Sequence, residues 1–343
     1  MTPLLSGLAG DEAVAALLGD DAQLQAMLSI ERALAEASAE TGFIARADAV
    51  AIGKTIDAFV PDWDDLRKGM ARDGVVVPAL VAQLRSRLPE AQRPALHKGA
   101  TSQDIIDTAL MLQLGEVLAL VELRIGELMV QLEALDAEHG GRSLMAHTRM
   151  QAALATHWHA KIESWLAPLG RHHRALQAMR PELLVVQLGG PVGDRGSFAG
   201  HGDAIAASMA QRLDLGVAAP WHATRDPIVA LGSRLALLTG SLGKIGADIA
   251  LLAQTEVGAV SLVGGGSSSA MAHKSNPVAA EILVALARFN AGLAGTLQQS
   301  MVHEYERSGA AWTIEWLTLP QMCETTGASL RLAQQLLRQI RIN

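Results

Sequence analysis

Cysteine, aromatic side chains and charge are all scarce in this sequence. A single cysteine, Cys323, excludes an intrachain disulfide and a zinc cluster built from cysteines. Aromatic residues make up 3% of the chain, with one tyrosine, and β-branched runs are short, so little favours a sheet-built core. Charged residues are 18% against 50% hydrophobic ones, a balance that would suit a membrane protein. Yet no uninterrupted apolar run reaches the roughly 18 residues that a membrane span needs. The longest uncharged stretch, 257–272, is broken by Ser261 and by a glycine–serine run. Asp11 and Glu12, with no basic start before them, argue against a signal peptide. A soluble, cytoplasmic chain with surplus apolar surface and no membrane partner is therefore expected. A basic excess is also missing: the net charge of −7 argues against nucleic acid as the main partner. The 343 residues allow one large domain or two to three small ones.

What is abundant is alanine and leucine at helical spacing. From Ile228, the residues Leu231, Leu235, Leu238, Leu242, Ile245, Ile249 and Leu252 recur at alternating steps of three and four, a heptad seam. Ile106, Leu110, Val117, Val121, Ile125, Leu128, Leu132 and Leu135 form a second stripe, and Leu112, Leu114, Leu118 and Leu120 add another apolar side. Such a helix is buried on more than one side. Trp158 to Met179 and Ile282 to Leu297 predict two more long helices, and further helix lies between Trp316 and Ile340. An all-α bundle is expected, with these positions in its core. Pro89 and Pro94 punctuate the chain before Leu96, which predicts an N-terminal helical domain over 1–95, a central bundle over 96–325 and a short helical tail over 326–343.

Several metal and phosphate motifs fail. The glycines at 264–266 lack the Gly-Lys-Ser/Thr ending of a phosphate loop. His303-Glu304 starts like a zinc-protease helix, but Arg307 stands where the second histidine belongs. His157 and His159 point to different sides of a helix, and His172 and His173, flanked by Arg171 and Arg174, read as a solvated basic face. No metal site is expected.

Three segments gather polar chemistry. The first, 96–108, sets His97, Thr101, Ser102, Gln103, Asp104 and Asp107 before a long apolar helix; helix capping by Thr101 or Ser102 would also explain it. The second, 267–277, places Ser268, Met271, His273, Lys274 and Asn276 on one loop, where a plain linker and turn is the simpler reading. The third, 303–312, could be no more than an exposed charged helix end.

In this order the segments resemble the signatures of the aspartase/fumarase superfamily. Gly-Ala-Thr-Ser-Gln-Asp at 99–104 is similar to its first signature, 145–151 to its second and Ser-Ser-Ala-Met-Ala-His-Lys-Ser-Asn-Pro at 268–277 to its third. Within it, His97 with 99–108, Gln187-x-Gly189-Gly190 and Glu304-x-Glu306-Arg307-Ser308-Gly309-Ala310-x-Trp312 most resemble the cycloisomerases that lactonise 3-carboxy-cis,cis-muconate. The resemblance implies a five-helix central bundle, a homotetramer with active sites shared between subunits, a small tricarboxylate substrate, and no metal or organic cofactor. Residue by residue it implies Ser268 as the proton-transfer group, supported by Lys274. His97 would act in acid–base or substrate-orienting work, and Thr101, Ser102, Asn276, Arg307, Arg149, Gln187, Met271 and His273 would face substrate.

The departures from the pattern are informative. Ser267 and Ala272 replace a glycine and a proline, and Ser275 replaces a basic residue. Many lyases of the superfamily have Thr-His where this chain has Thr148-Arg149. A lyase that expels a poor leaving group needs a second acid there. Lactone chemistry expels or adds a carboxylate, whose conjugate acid has a pKa of about 4 and needs no such help. Pro277 lies 66 residues before the last residue, so the superfamily's C-terminal helical domain is expected to be largely absent. The competing expectations are an adenylosuccinate-type C–N lyase, disfavoured by Arg149 and Ser275, and a non-catalytic scaffold, disfavoured by the retained polar set.

Overall fold

The computed structural model of the chain describes residues 2–266, 271 and 275–343. Its first part holds α1 (Pro3–Ala9), α2 (Glu12–Leu17), α3 (Asp20–Glu40), α4 (Arg46–Asp57), α5 (Trp63–Asp73) and α6 (Val77–Arg87). The rest holds α7 (Ser102–His139), β1 (Ser143–Thr148), β2 (Gln151–His157), α8 (Trp158–Leu183), β3 (Val185–Val186), α9 (Gly202–Leu213), β4 (Gly216–Val217), α10 (Asp226–Leu252), β5 (Val260–Leu262), α11 (Val278–Gln298), α12 (Gly309–Gln339) and β6 (Ile340–Ile342). Among the described residues the strands make two-stranded pairs alone: β1 with β2 and β5 with β6 antiparallel, β3 with β4 parallel. The architecture is all-α, as the periodicity predicts.

The bundle consists of α7, α8, α10, α11 and α12. Every residue of the seam from Leu231 to Leu252 is buried in it. On α7 both stripes are covered, because α8 and α12 pack on it as well as α3 of the N-terminal part. Two glycines let α10 and α11 approach closely. A Cβ on Gly243 would stand 2.6 Å from the Ala287 Cβ, and one on Gly246 would stand 2.6 Å from the Ala280 carbonyl oxygen. A buried polar pin ties three helices here: Asn290 Nδ2 of α11 donates to the hydroxyls of Thr239 in α10 and Thr326 in α12, each 3.3 Å away. A second core joins α3 to α6, the start of α7, Val186, Leu188, Phe198, α9 and Trp312.

Three details differ from the sequence reading. Phe289, expected inside, is 45% exposed, because the buried face of α11 runs through Ala280, Leu283, Leu286, Asn290 and Leu297 instead. His172 is not on a solvated face: its Nε2 lies 2.8 Å from the Ser241 hydroxyl of α10, and burial, helped by the charge of Arg171, lowers its pKa. The region of the second signature, given no secondary structure from sequence, forms the β1–β2 hairpin. By length and composition alone, Asp226–Leu252 and Val278–Met301 could each cross a membrane. The most apolar window of the first is 56% buried inside the fold, but that of the second only 28%, so α11 presents an uncovered apolar face.

Leu238, wholly buried in the seam, tests the packing. Truncation by Leu238→Ala should destabilise the fold by about 2–5 kcal/mol. Urea unfolding at fixed protein concentration measures it, and a loss well under 1 kcal/mol would contradict a close-packed seam.

Candidate active site

The start of α7 is built around two buried aspartates. Thr101 caps the helix, and Asp104 completes a capping box by accepting the Thr101 N–H at 2.9 Å. The same carboxylate accepts the N–H groups of Gly189 at 2.8 Å and Gly190 at 3.0 Å, and contacts His222 Nε2 at 2.8 Å. One fully buried side chain thus ties the helix start to the Gly189-Gly190 loop. Gly190 has φ +72, in the left-handed region that glycine enters without strain.

One turn later, Asp107 receives Arg225 through a two-pronged contact, Nη1 to Oδ2 at 2.7 Å and Nη2 to Oδ1 at 3.1 Å. The other edge of the same guanidinium meets Glu315, Nε to Oε1 at 2.8 Å and Nη2 to Oε2 at 2.5 Å. Trp312 Nε1–H donates to Asp107 at 3.0 Å. All three charged side chains are buried. Burial opposes the charge on Arg225, but the two carboxylates outweigh it and raise its pKa further. Beside them the His303 ring is fully covered; neither nitrogen has a hydrogen-bond partner among the described residues, and Nε2 lies 3.9 Å from Glu315. Burial, then the charge of Arg225, lowers its pKa.

Gln103 links this cluster to the surface. Its amide donates to Asp107 and to the His222 carbonyl, each at 3.0 Å, and its oxygen accepts Arg307 Nε–H at 2.9 Å. Arg307 also reaches the Thr101 hydroxyl at 3.2 Å and the Pro191 carbonyl at 3.3 Å. The third segment is therefore a largely exposed approach to α12, which starts at Gly309 with the buried Ser308 as its cap, and Arg307 is the part of it tied to α7.

The remaining expected residues fall into separate places. Thr101, Ser102 and Arg307 cluster at the start of α7, with His97 five positions upstream of Ser102. Gln187 is fully buried behind them; its side-chain oxygen accepts the Trp221 N–H at 3.0 Å. Arg149 is at the turn of the hairpin with φ +48, lining a cavity of about 910 Å³ with His147, Lys161, Lys244 and Asp248. Asn276 makes a two-way backbone bridge with Gly266, 2.9 Å in each direction, and Met271 is exposed. Ser268, His273 and Lys274 lie outside the described residues.

Helix length explains the separation. The 38 residues of α7 span about 57 Å, with Thr101 at one end and the hairpin at the other. Asn276 also belongs to the far end, where β5 pairs with β6 just beyond the end of α12. Thr101 and Arg307 of the first and third segments thus stand at one end of α7, and Arg149 of the second signature at the other.

The sequence reading did not single out His222 or Arg225. For Arg225 a signal existed: Asp107 and Glu315 interrupt apolar helix faces, and buried carboxylates require a cation. Its weight is measurable. Asp107→Asn should cost about 3–5 kcal/mol in urea unfolding, because it leaves Arg225 short of a counter-charge. A cost under about 1 kcal/mol would show that Arg225 does not depend on Asp107.

Comparison with known proteins agrees with this architecture. Residues 12–289 match the model of a family described as lyase. The chain is 37% identical over 335 residues to a 3-carboxy-cis,cis-muconate cycloisomerase from Pseudomonas putida, covering 95% of this chain and 79% of that protein. It is 38% identical to one from Pseudomonas aeruginosa, covering 96% and 73%. The crystal structure of the Pseudomonas putida lactonizing enzyme superposes with a TM-score of 0.94 at 35% identity, over 100% of this chain and 78% of that one. The chain thus spans about three quarters of the length of these relatives. It belongs to this lyase family, of aspartase/fumarase type, together with the 3-carboxy-cis,cis-muconate cycloisomerases.

Proposed function

We propose that the chain is a cycloisomerase that converts 3-carboxy-cis,cis-muconate to 4-carboxymuconolactone in protocatechuate catabolism. The observation that carries this reading is the likeness to cycloisomerases over 95% of the chain or more, with a TM-score of 0.94 to a solved one. Arg149 supports it, because the histidine acid that C–N lyases place there is replaced by a fixed cation.

The chemistry balances without redox or a separate leaving group. A substrate carboxylate oxygen attacks an alkene carbon of its own molecule and forms the C–O bond. The displaced π electrons move toward a neighbouring carboxylate as an enolate, and one proton added to carbon completes the lactone. Ser268 delivers that proton, and Lys274 supports its charge. Three carboxylates plus a developing enolate need cations and donors. Arg307, Thr101 and Ser102 supply them at the start of α7, and Asn276, Arg149 and His273 supply them at the far end, while Met271 gives the ligand an apolar contact and the buried Gln187 holds Trp221 behind the start of α7.

Because these groups lie at opposite ends of long helices, the site is assembled from antiparallel copies in a homotetramer. The uncovered apolar face of α11 is the surface that this packing buries. The N-terminal domain over 1–95 and the bundle over 96–325, continued by a tail over 326–343 that carries the second half of α12, form its protomer, and the assembly works in the cytoplasm.

Product NMR after incubation with 3-carboxy-cis,cis-muconate in deuterated water tests the reaction. One deuterium at a lactone ring-adjacent carbon is expected, and unchanged substrate would refute the reading. In the same assay Ser268→Ala should lower turnover by roughly 100-fold or more; full turnover would remove Ser268 from the proton transfer. Sedimentation velocity should give a tetramer, and an active monomer would exclude a shared site.

A further inference from the structure

His97 and Glu31 meet across 66 positions of sequence. His97 sits on left-handed backbone, φ +59, in the turn that leads into α7. Its Nδ1 lies 2.6 Å from Glu31 Oε1. Glu31 comes from the middle of α3, and its side chain is fully covered, against 14% exposure for the imidazole. The other Glu31 oxygen is buried without a hydrogen-bond partner among the described residues. A buried carboxylate with one polar neighbour is costly unless that neighbour brings a proton and a charge. The ring is therefore oriented with Nδ1–H toward Glu31, which turns Nε2 away from α3.

The charged groups around the ring favour the cation. Glu31 faces it from α3, Asp104 from α7 and Arg85 from α6, two acids against one base. Burial pulls the His97 pKa down, but the charge and hydrogen bond of Glu31, helped by Asp104, outweigh it and raise the pKa above the ordinary histidine value. Such an imidazolium is a poor base and a good donor to an anion.

We propose that Glu31 is a positioning residue that fixes His97 with Nδ1 toward α3 and presents Nε2–H as a cationic donor to a substrate carboxylate beside Thr101 and Ser102. The assignment rests on the cycloisomerase reading and deepens it: His97 binds a carboxylate and does not take the carbon proton. Linkage gives a further consequence. Since folding raises this pKa, the pair's contribution to stability is complete below the unfolded histidine value of about 6.5. It is lost as pH rises through the folded value.

The test is a histidine titration of the full chain without substrate, by NMR of imidazole carbons, with the His97 signal assigned by its loss in His97→Asn. The wild type should titrate above about 6.5 and show the Nδ1–H tautomer when neutral. In Glu31→Gln the midpoint should fall. kcat/KM above neutral pH should drop roughly tenfold, the equivalent of one charge-assisted hydrogen bond, with KM carrying most of the change. A wild-type midpoint at or below 6.5, an Nε2–H neutral tautomer, or an unmoved midpoint in Glu31→Gln overturns the assignment. If that variant does not fold, the wild-type midpoint and tautomer decide alone. A raised midpoint with no turnover of 3-carboxy-cis,cis-muconate refutes the cycloisomerase reading and the carboxylate role, and leaves the Glu31–His97 pair standing.

Discussion

The guanidinium of Arg225, shared by Asp107 and Glu315 with no exposure to solvent, is the contact on which the site end of the bundle depends. It joins α7, the residue before α10, and α12 at one level. Desolvating a cation and two carboxylates is expensive, and only saturated geometry offsets the cost. Four short contacts to the guanidinium and a fifth from Trp312 to Asp107 meet that demand. An apolar seam tolerates small slips along a helix axis; a two-sided charge clamp does not. The rotation of three helices about their axes is set here, and with it the direction in which Gln103 offers its oxygen to Arg307.

Asp104, one turn earlier, extends the same logic from helices to loop. Its carboxylate organises the Thr101 cap, the Gly189-Gly190 loop and His222 at once. Helix capping and site building are therefore one arrangement, which dissolves the apparent choice between them at 99–104. The cap residue Thr101 is also the hydroxyl that Arg307 reaches.

Helix length is the second constraint. Elements of 38, 27 and 31 residues bury a large apolar seam economically, but they hold the start of α7 and the hairpin far apart. A ligand of a few ångströms cannot touch both ends of one protomer. The surplus of apolar residues has two outlets: the seam of α10, and the face of α11 on which Phe289 stands exposed.

Periodicity located four of the five bundle helices, because a repeat of three and four reports burial on a helix face wherever its partner comes from; for α12 helix was legible between Trp316 and Ile340 without a repeat, and its start at Gly309 came from the structure. Periodicity misjudged Phe289, since the phase of the buried face on an apolar helix such as α11 depends on which neighbour covers it. The hairpin at 143–157 was invisible because its strands are mostly exposed and carry little alternation. The order of the polar motifs was also legible, and with it the family. Which charges are buried was decided only by the tertiary structure. Asp107 finds Arg225 across 118 positions, and Glu31 finds His97 across 66. A helical repeat is a local property of the chain, whereas the counter-charge of a buried acid is supplied by whatever element folds against it.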